Sequence, residues 1–198
     1  MILLRMLMSV ADFVLTTRKK RVKKLPELTK KYKQGFFGDV LHTCYGCSHT
    51  NLKGLHLEFS ETSEDGLASI WKPKAEFESF PGIVHGGMSA LLLDEVGGVL
   101  IQAKLNRFAF TAHSIIRYHK AVYSENELII VARIVKKFRR YVFVNGEILD
   151  KNGRILTSMS AVYFLPNHSQ FKHVSKLNSM SKEVEAYIEG KAYIEGKA

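Results

Sequence analysis

The longest apolar run of the chain lies near its middle. After Pro81 and Gly82 break the backbone, the segment from Gly86 to about Leu105 carries Leu, Val, Ile and Ala around almost the whole of a helical wheel. A helix that is apolar on all sides has to be covered on all sides. The pattern therefore predicts one long central helix that the rest of the fold buries.

The segments on either side of this helix are typical of β-strands. Residues 142–148 alternate Val, Val, Gly and Ile with Phe, Asn and Glu, which gives a sheet two unlike faces. The Asn152-Gly153 pair is a strong signal for a hairpin turn. Strands are predicted at 52–60, 66–74, 111–120, 127–137, 140–149 and 154–165, and the first two should form a hairpin across an acidic turn.

The order of these elements indicates the fold class. Two strands precede the helix and four follow it, without the strand–helix alternation that builds a parallel sheet, so the α+β class is predicted. The simplest cover for the helix is an antiparallel sheet curled around it, with a second subunit closing the remaining side. The predicted domain spans residues 36–166, between an extension at 1–35 and a polar tail at 167–198.

Positive charge is concentrated near the N-terminus. The formal net charge is +10, and residues 18–33 hold nine Lys and Arg against one Glu. Because the rest is nearly neutral, no nucleic-acid partner is expected. Residues 1–34 form either a helical extension with a solvated basic face or an amphipathic anchor on an anionic membrane. Two cysteines make no disulfide framework, which favours the cytoplasm, with peripheral membrane contact as the variant.

Two carboxylates, Asp94 and Glu95, interrupt the apolar helix. A buried ionised carboxylate needs partners to replace its water, and successive helical residues point about 100° apart, so the two cannot share one environment. His85, Gly86 and Gly87 stand at the helix start. The first N–H groups of a helix have no intrahelical partner, and glycine lets a ligand oxygen approach them, as in an oxyanion hole. Each feature also has a purely structural explanation. Gly86 and Gly87 could simply form a tight turn from strand to helix, and Asp94 and Glu95 could lie on an exposed stripe of the helix.

The stretch FPGIVHGGMSALLLDEVGG, residues 80–98, resembles the active-site segment of the hotdog-fold acyl-CoA thioesterases, in the branch that includes the phenylacetate-pathway enzymes. CYGCSHTNLKGLHLEF before it and TAHSIIRYHKAVYSENELIIVARI after it also resemble that family. The resemblance covers about residues 41–165 and implies a hotdog fold, a curved antiparallel sheet around one helix. Ala121 stands where the family often has Pro, which concerns the rigidity of a loop.

The resemblance implies a function as well as a fold. It implies hydrolysis of acyl-CoA thioesters to free CoA and a carboxylic acid, without a cofactor or a metal. Asp94, nine residues after His85, would lie in an apolar cleft as nucleophile or general base. Gly86 would donate its backbone N–H to the thioester carbonyl, and His85 would shape the turn rather than transfer a proton.

Further site residues follow from the same resemblance. A hydroxyl at Thr111 would orient the attacking water, and a one-residue slip would give that role to His113 or Ser114. Gly87 and Glu95 are expected to border the substrate. Glu95 is also the alternative candidate for the catalytic role given to Asp94.

Gly86 and Asp94 should not touch one thioester within a single subunit. They are eight residues apart, which is about 12 Å along a helix at a rise of about 1.5 Å per residue. A catalytic base has to come within about 3 Å of the atom it serves. The active sites are therefore predicted to lie between subunits of a homodimer or of a dimer of dimers.

Three other functions compete with this one. In HTCYGCSH, residues 42–49, the side chains of His42, Cys44, Cys47 and His49 could hold zinc, although no second cluster follows. A hotdog dehydratase would have its catalytic His before the Phe-Pro-Gly, whereas His85 follows it. A non-catalytic protein that binds acyl-CoA or an acyl carrier would keep the fold without turnover.

Overall fold

The computed structural model describes residues 22–32, 43–167 and 169–170. Within them the elements follow in the order β1 (Leu28–Tyr32), β2 (Phe59–Thr62), β3 (Leu67–Trp71), a 3₁₀ turn (Ala75–Phe77), β4 (Glu78–Phe80), β5 (Ile83–Val84), α1 (Gly86–Leu105), β6 (Phe110–Tyr118), β7 (Leu128–Phe138), β8 (Tyr141–Leu149) and β9 (Ile155–Phe164). None of the helices in this part of the chain is long and apolar enough to span a membrane.

The main sheet has seven antiparallel strands in the order β1-β2-β3-β7-β8-β9-β6. β4 and β5 form a short separate hairpin that leads into α1. The long helix packs against the sheet, mainly on its central strands β7 and β8. This is the α+β hotdog architecture, and the predicted fold class is confirmed.

The helix is held by its apolar side chains. Leu92, Leu93 and Leu100 are fully buried in one cluster with side chains of the central strands, and each such burial is worth about 1.5–3 kcal/mol. The predicted cover is incomplete in a single chain, because Gly87 and Asp94 are exposed on one side of the helix. That uncovered stripe lies on the side where β6 passes.

The strand predictions after the helix are correct to within two residues at each end. The prediction of a strand at 52–60 is wrong for residues 52–58. Leu55 and Leu57 are buried as the alternation requires, but their N–H groups donate to the carbonyls of Tyr45 and Gly46, at 2.8 and 2.9 Å, and not to a strand. Alternation fixes which side chains point inward; it does not fix the hydrogen-bond partner.

The boundary predicted at residue 35 needs a correction. β1 lies within the extension predicted at 1–35, yet it pairs with β2 as an edge strand of the sheet. Lys23 forms an ion pair with Glu147 at 2.6 Å, and its N–H donates to the Gly153 carbonyl at 2.8 Å. Residues 22–32 thus belong to the folded domain and are not helical. The membrane anchor stays a prediction for residues 1–21, which lie outside the described residues. Nearly all of the tail at 167–198 also lies outside them.

Candidate active site

The start of α1 is fixed by His85. Its Nδ1 accepts a hydrogen bond from the Gly87 N–H at 2.9 Å, and its own N–H donates to the Phe77 carbonyl at 2.8 Å. Gly87 lies beside a surface cavity, but its N–H is already engaged by the His85 side chain. Of the two glycines, Gly86 is therefore the better placed to donate its N–H to a ligand.

A second cavity borders the N–H donors of α1. Gly86 and Ser89 line it from the helix, and Tyr118 lines it from β6. The Tyr118 hydroxyl donates to the Gly86 carbonyl at 3.2 Å, which ties the helix start to the C-terminal end of β6. This cavity measures about 360 Å³. A carbonyl oxygen bound here would face the positive end of the helix dipole.

Asp94 lies two turns further along the helix and is hydrogen-bonded to two side chains. The Thr111 hydroxyl donates to Asp94 Oδ1 at 2.7 Å, and the Tyr163 hydroxyl lies 3.2 Å from the same oxygen and 3.1 Å from the Asp94 carbonyl. Thr111, rather than His113 or Ser114, therefore supplies the hydroxyl at this carboxylate. Both contacts use Oδ1, so Oδ2 has no partner among the described residues.

Tyr163 is buried, and burial together with the nearby charge of Asp94 raises the pKa of its hydroxyl. The hydroxyl therefore stays protonated and remains a donor to Asp94. The sequence prediction missed this residue. Alternation along β9 places Tyr163 on the inward face of the sheet, but no local signal indicates that its hydroxyl meets a helix residue 69 positions earlier.

Glu95 has different surroundings from Asp94. It is half-buried, with its carboxylate oxygens 3.4 and 3.6 Å from the Cys44 sulfur. Burial raises the pKa of Glu95, whereas Asp94 is exposed in a single chain. The expected apolar cleft around Asp94 is thus not closed by one subunit. The two adjacent carboxylates occupy the two different environments that the helical rotation requires.

One cavity of about 360 Å³ lies between these groups. Its lining includes the thiol, carboxyl and hydroxyl side chains of Cys44, Cys47, Asp94, Glu95, Thr111 and Tyr163. Gly86 does not line it. Within one chain the structure therefore brings Asp94 together with Thr111 but separates both from the helix start.

The candidate zinc motif is only partly assembled as predicted. Cys44 and Cys47 are thiols whose sulfur atoms lie close to Glu95. The His49 ring instead lies against His56, with ring centroids 6.1 Å apart, and His42 is outside the described residues. Sequence spacing found the two cysteines, but it could not find the carboxylate from the helix.

Comparison with known proteins shows which family the central segment resembles. Residues 81–157 match the family model of the thioesterase superfamily, and this segment includes α1, β6, β7 and β8. In this segment the chain is similar to the thioesterase superfamily. No curated protein matches the sequence.

Solved structures share the fold at low sequence identity. A thioesterase superfamily protein is 21% identical, with a TM-score of 0.59 over 82% of this chain and 76% of that one. Zebra fish thioesterase superfamily member 2 is 20% identical, with a TM-score of 0.52 over 56% and 81%. A putative thioesterase from Ralstonia eutropha, described as related to phenylacetic acid degradation, is 22% identical, with a TM-score of 0.51 over 56% and 85%.

The contact between Tyr163 and the helix can be tested at two neighbouring glycines. A Cβ on Gly97 would overlap the Tyr163 hydroxyl, whereas a Cβ on Gly98 would meet nothing within 4 Å. We expect Gly97→Ala to lower the free energy of unfolding by about 1–3 kcal/mol, because the buried tyrosine has to move. Gly98→Ala should raise it by about 0.5–1 kcal/mol through helix propensity. Guanidinium unfolding of the two variants measures the difference, and equal stabilities would contradict this packing.

Proposed function

We propose that the protein hydrolyses acyl-CoA thioesters to free CoA and a carboxylic acid. The observation that carries this proposal is the anchored carboxylate of Asp94 on the exposed side of α1 in a thioesterase superfamily domain. Two hydroxyl groups hold Oδ1, which leaves Oδ2 to attack the thioester or to take a proton from water. The proposed hydrolysis uses no cofactor and no metal ion.

The oxyanion donor in this proposal is the Gly86 N–H, from another subunit. α1 runs antiparallel to β6, because Gly86 contacts Tyr118 at one end of β6 and Asp94 contacts Thr111 at the other. β6 is also an edge strand of the described sheet, and an unpaired edge favours pairing with another strand.

Two copies of β6 that pair antiparallel about a two-fold axis bring the Tyr118 end of one strand beside the Thr111 end of the other. The Gly86 N–H of one subunit would then approach Asp94 of the partner subunit. This arrangement supports the predicted homodimer with two shared sites and covers the exposed stripe of the helix. A dimer of dimers would contain the same pair.

The proposed location is the cytoplasm. The chain has two cysteines, too few for a disulfide framework, and this supports a reducing compartment. Contact of residues 1–21 with an anionic membrane remains part of the proposal, and binding to vesicles with and without those residues would test it.

Replacing Asp94 should remove the reaction. We expect Asp94→Asn to lower kcat about 10²–10⁴-fold in a thiol-release assay across an acyl-CoA panel, because the amide is neither a base nor a nucleophile. Asp65→Asn is the matched control, since Asp65 is an exposed carboxylate in the β2–β3 turn. Full activity of Asp94→Asn would exclude the assignment. Binding of acyl-CoA by wild type without thiol release would instead favour the non-catalytic binding protein.

The two donors to Asp94 should act as positioning residues. Each hydrogen bond to a charged group is worth about 1.5–3 kcal/mol, so Thr111→Val and Tyr163→Phe should each lower kcat by about tenfold or more. KM should change much less, and Thr111→Ser should restore most of the rate. Unchanged kcat in Tyr163→Phe would show that its hydroxyl does not orient the carboxylate.

Shared active sites predict complementation between inactive subunits. Gly86→Pro lacks the N–H donor but keeps a residue that is tolerated at the first helical position. Mixed with Asp94→Ala and allowed to exchange, it should recover about a quarter of wild-type activity, because about half of the dimers are mixed and each has one intact site. No recovery in a mixture that native mass spectrometry shows to contain mixed dimers would mean that each site lies within one subunit.

A further inference from the structure

The loop of residues 43–57 contacts α1 through its Cys44 to Cys47 turn, beside the proposed catalytic carboxylate. The proposed hydrolysis does not use these cysteines. The Cys44 and Cys47 sulfurs and a Glu95 carboxylate oxygen lie within 4.8 Å of one another. They come from two elements that are far apart in sequence. Two thiols and a carboxylate that converge in this way could hold a metal ion.

We propose that Cys44, Cys47 and Glu95 bind one zinc ion, which fastens the 43–57 loop to the central helix. This inference departs from the expectation, drawn from the sequence, that the chain binds no metal. It concerns a group of atoms next to the proposed catalytic site and does not depend on the hydrolysis.

The distances fit a tetrahedral zinc site. With Zn–S bonds of about 2.3 Å and Zn–O bonds of about 2.0 Å, tetrahedral angles place sulfur and oxygen about 3.5 Å apart. Cys44 Sγ lies 3.4 and 3.6 Å from the two Glu95 oxygens. Two thiolates also select zinc over magnesium or calcium, which prefer oxygen ligands.

The backbone holds the two cysteines in place without help from a metal. The Ser48 N–H donates to the Cys44 carbonyl at 3.1 Å, which closes a turn around the motif. The carbonyls inside this turn accept the N–H groups of Leu55 and Leu57, both of which are anchored in the core.

Gly46 makes room for the third ligand. A Cβ at this position would overlap the Glu95 side chain, so only glycine lets the carboxylate reach the sulfur atoms. The middle of the Cys-x-x-Cys turn is thus shaped around Glu95.

The adjoining cavity indicates a polar occupant. Gln102 is only 7% exposed, and its Oε1 has no hydrogen-bond partner among the described residues. It lines the same cavity of about 360 Å³ as the three ligands. A buried orphan acceptor of this kind points to water or an ion. We assign the fourth zinc position to a water molecule on this side.

Direct metal binding tests the site. Wild-type protein, reduced and stripped with a chelator, should take up about one Zn²⁺ per chain in equilibrium dialysis. Co²⁺ in place of Zn²⁺ should give the near-ultraviolet sulfur-to-cobalt absorption that only thiolate ligands produce. The Cys44→Ser/Cys47→Ser variant should lose both signals. Uptake equal to that of this variant, or a cobalt spectrum without the thiolate band, would overturn the proposal even if a variant folds poorly.

Two further variants test the geometry. Glu95→Gln removes a ligand charge, and Gly46→Ala displaces the same carboxylate, so each should weaken Zn²⁺ binding by about tenfold or more while the thiolate band persists. His49→Ala is the control for the histidine of the motif, because its ring packs elsewhere. Asp94→Asn should lose hydrolysis but bind zinc as wild type does. Loss of zinc in either control would contradict the assigned ligand set. A wild-type protein that binds zinc but hydrolyses no thioester would contradict only the proposed function.

Discussion

The packing of α1 against the central strands is the interaction on which the other features depend. Leucines on the buried side of the helix fix its rotation about its own axis, and that rotation decides where each polar residue points. A change of one residue in this register would turn Asp94 by about 100° away from Thr111 and Tyr163. The apolar core therefore positions the proposed catalytic carboxylate.

The same rotation separates two chemically similar neighbours. Asp94 meets hydroxyl donors from β6 and β9 and remains exposed, while Glu95 turns into a half-buried space against Cys44. Burial raises the pKa of Glu95, because the ionised carboxylate loses water there. The exposed Asp94 is suited to reaction with a substrate, and the half-buried Glu95 is suited to holding the 43–57 loop.

The exposed stripe of the helix and the open edge of β6 lie on the same side of the domain. A single chain leaves both uncovered, and the antiparallel course of α1 along β6 places complementary groups at opposite ends of this face. A two-fold axis through the face would unite them. Oligomerisation and chemistry are thus linked through one surface in the proposed function.

The sequence by itself determined the elements and their class. The long apolar run predicted the helix, alternation predicted the strands after it, and the Asn152-Gly153 turn joins β8 and β9 as expected. It also placed Asp94 and Gly86 on one helix. It mispredicted residues 52–58, because alternation records burial and not the bonding partner, and it took β1 for an appendage, because an exposed edge strand of lysines carries no apolar pattern.

Only the tertiary structure decided which side chains meet. Tyr163 reaches Asp94 across 69 positions, and Glu95 reaches Cys44 across 51. No local period records such contacts, since they depend on the register of β6 on β9 and on the path of the loop before β2. A local pattern reflects whether a residue faces the core, whereas the partner it finds there is set by the packing of the whole chain.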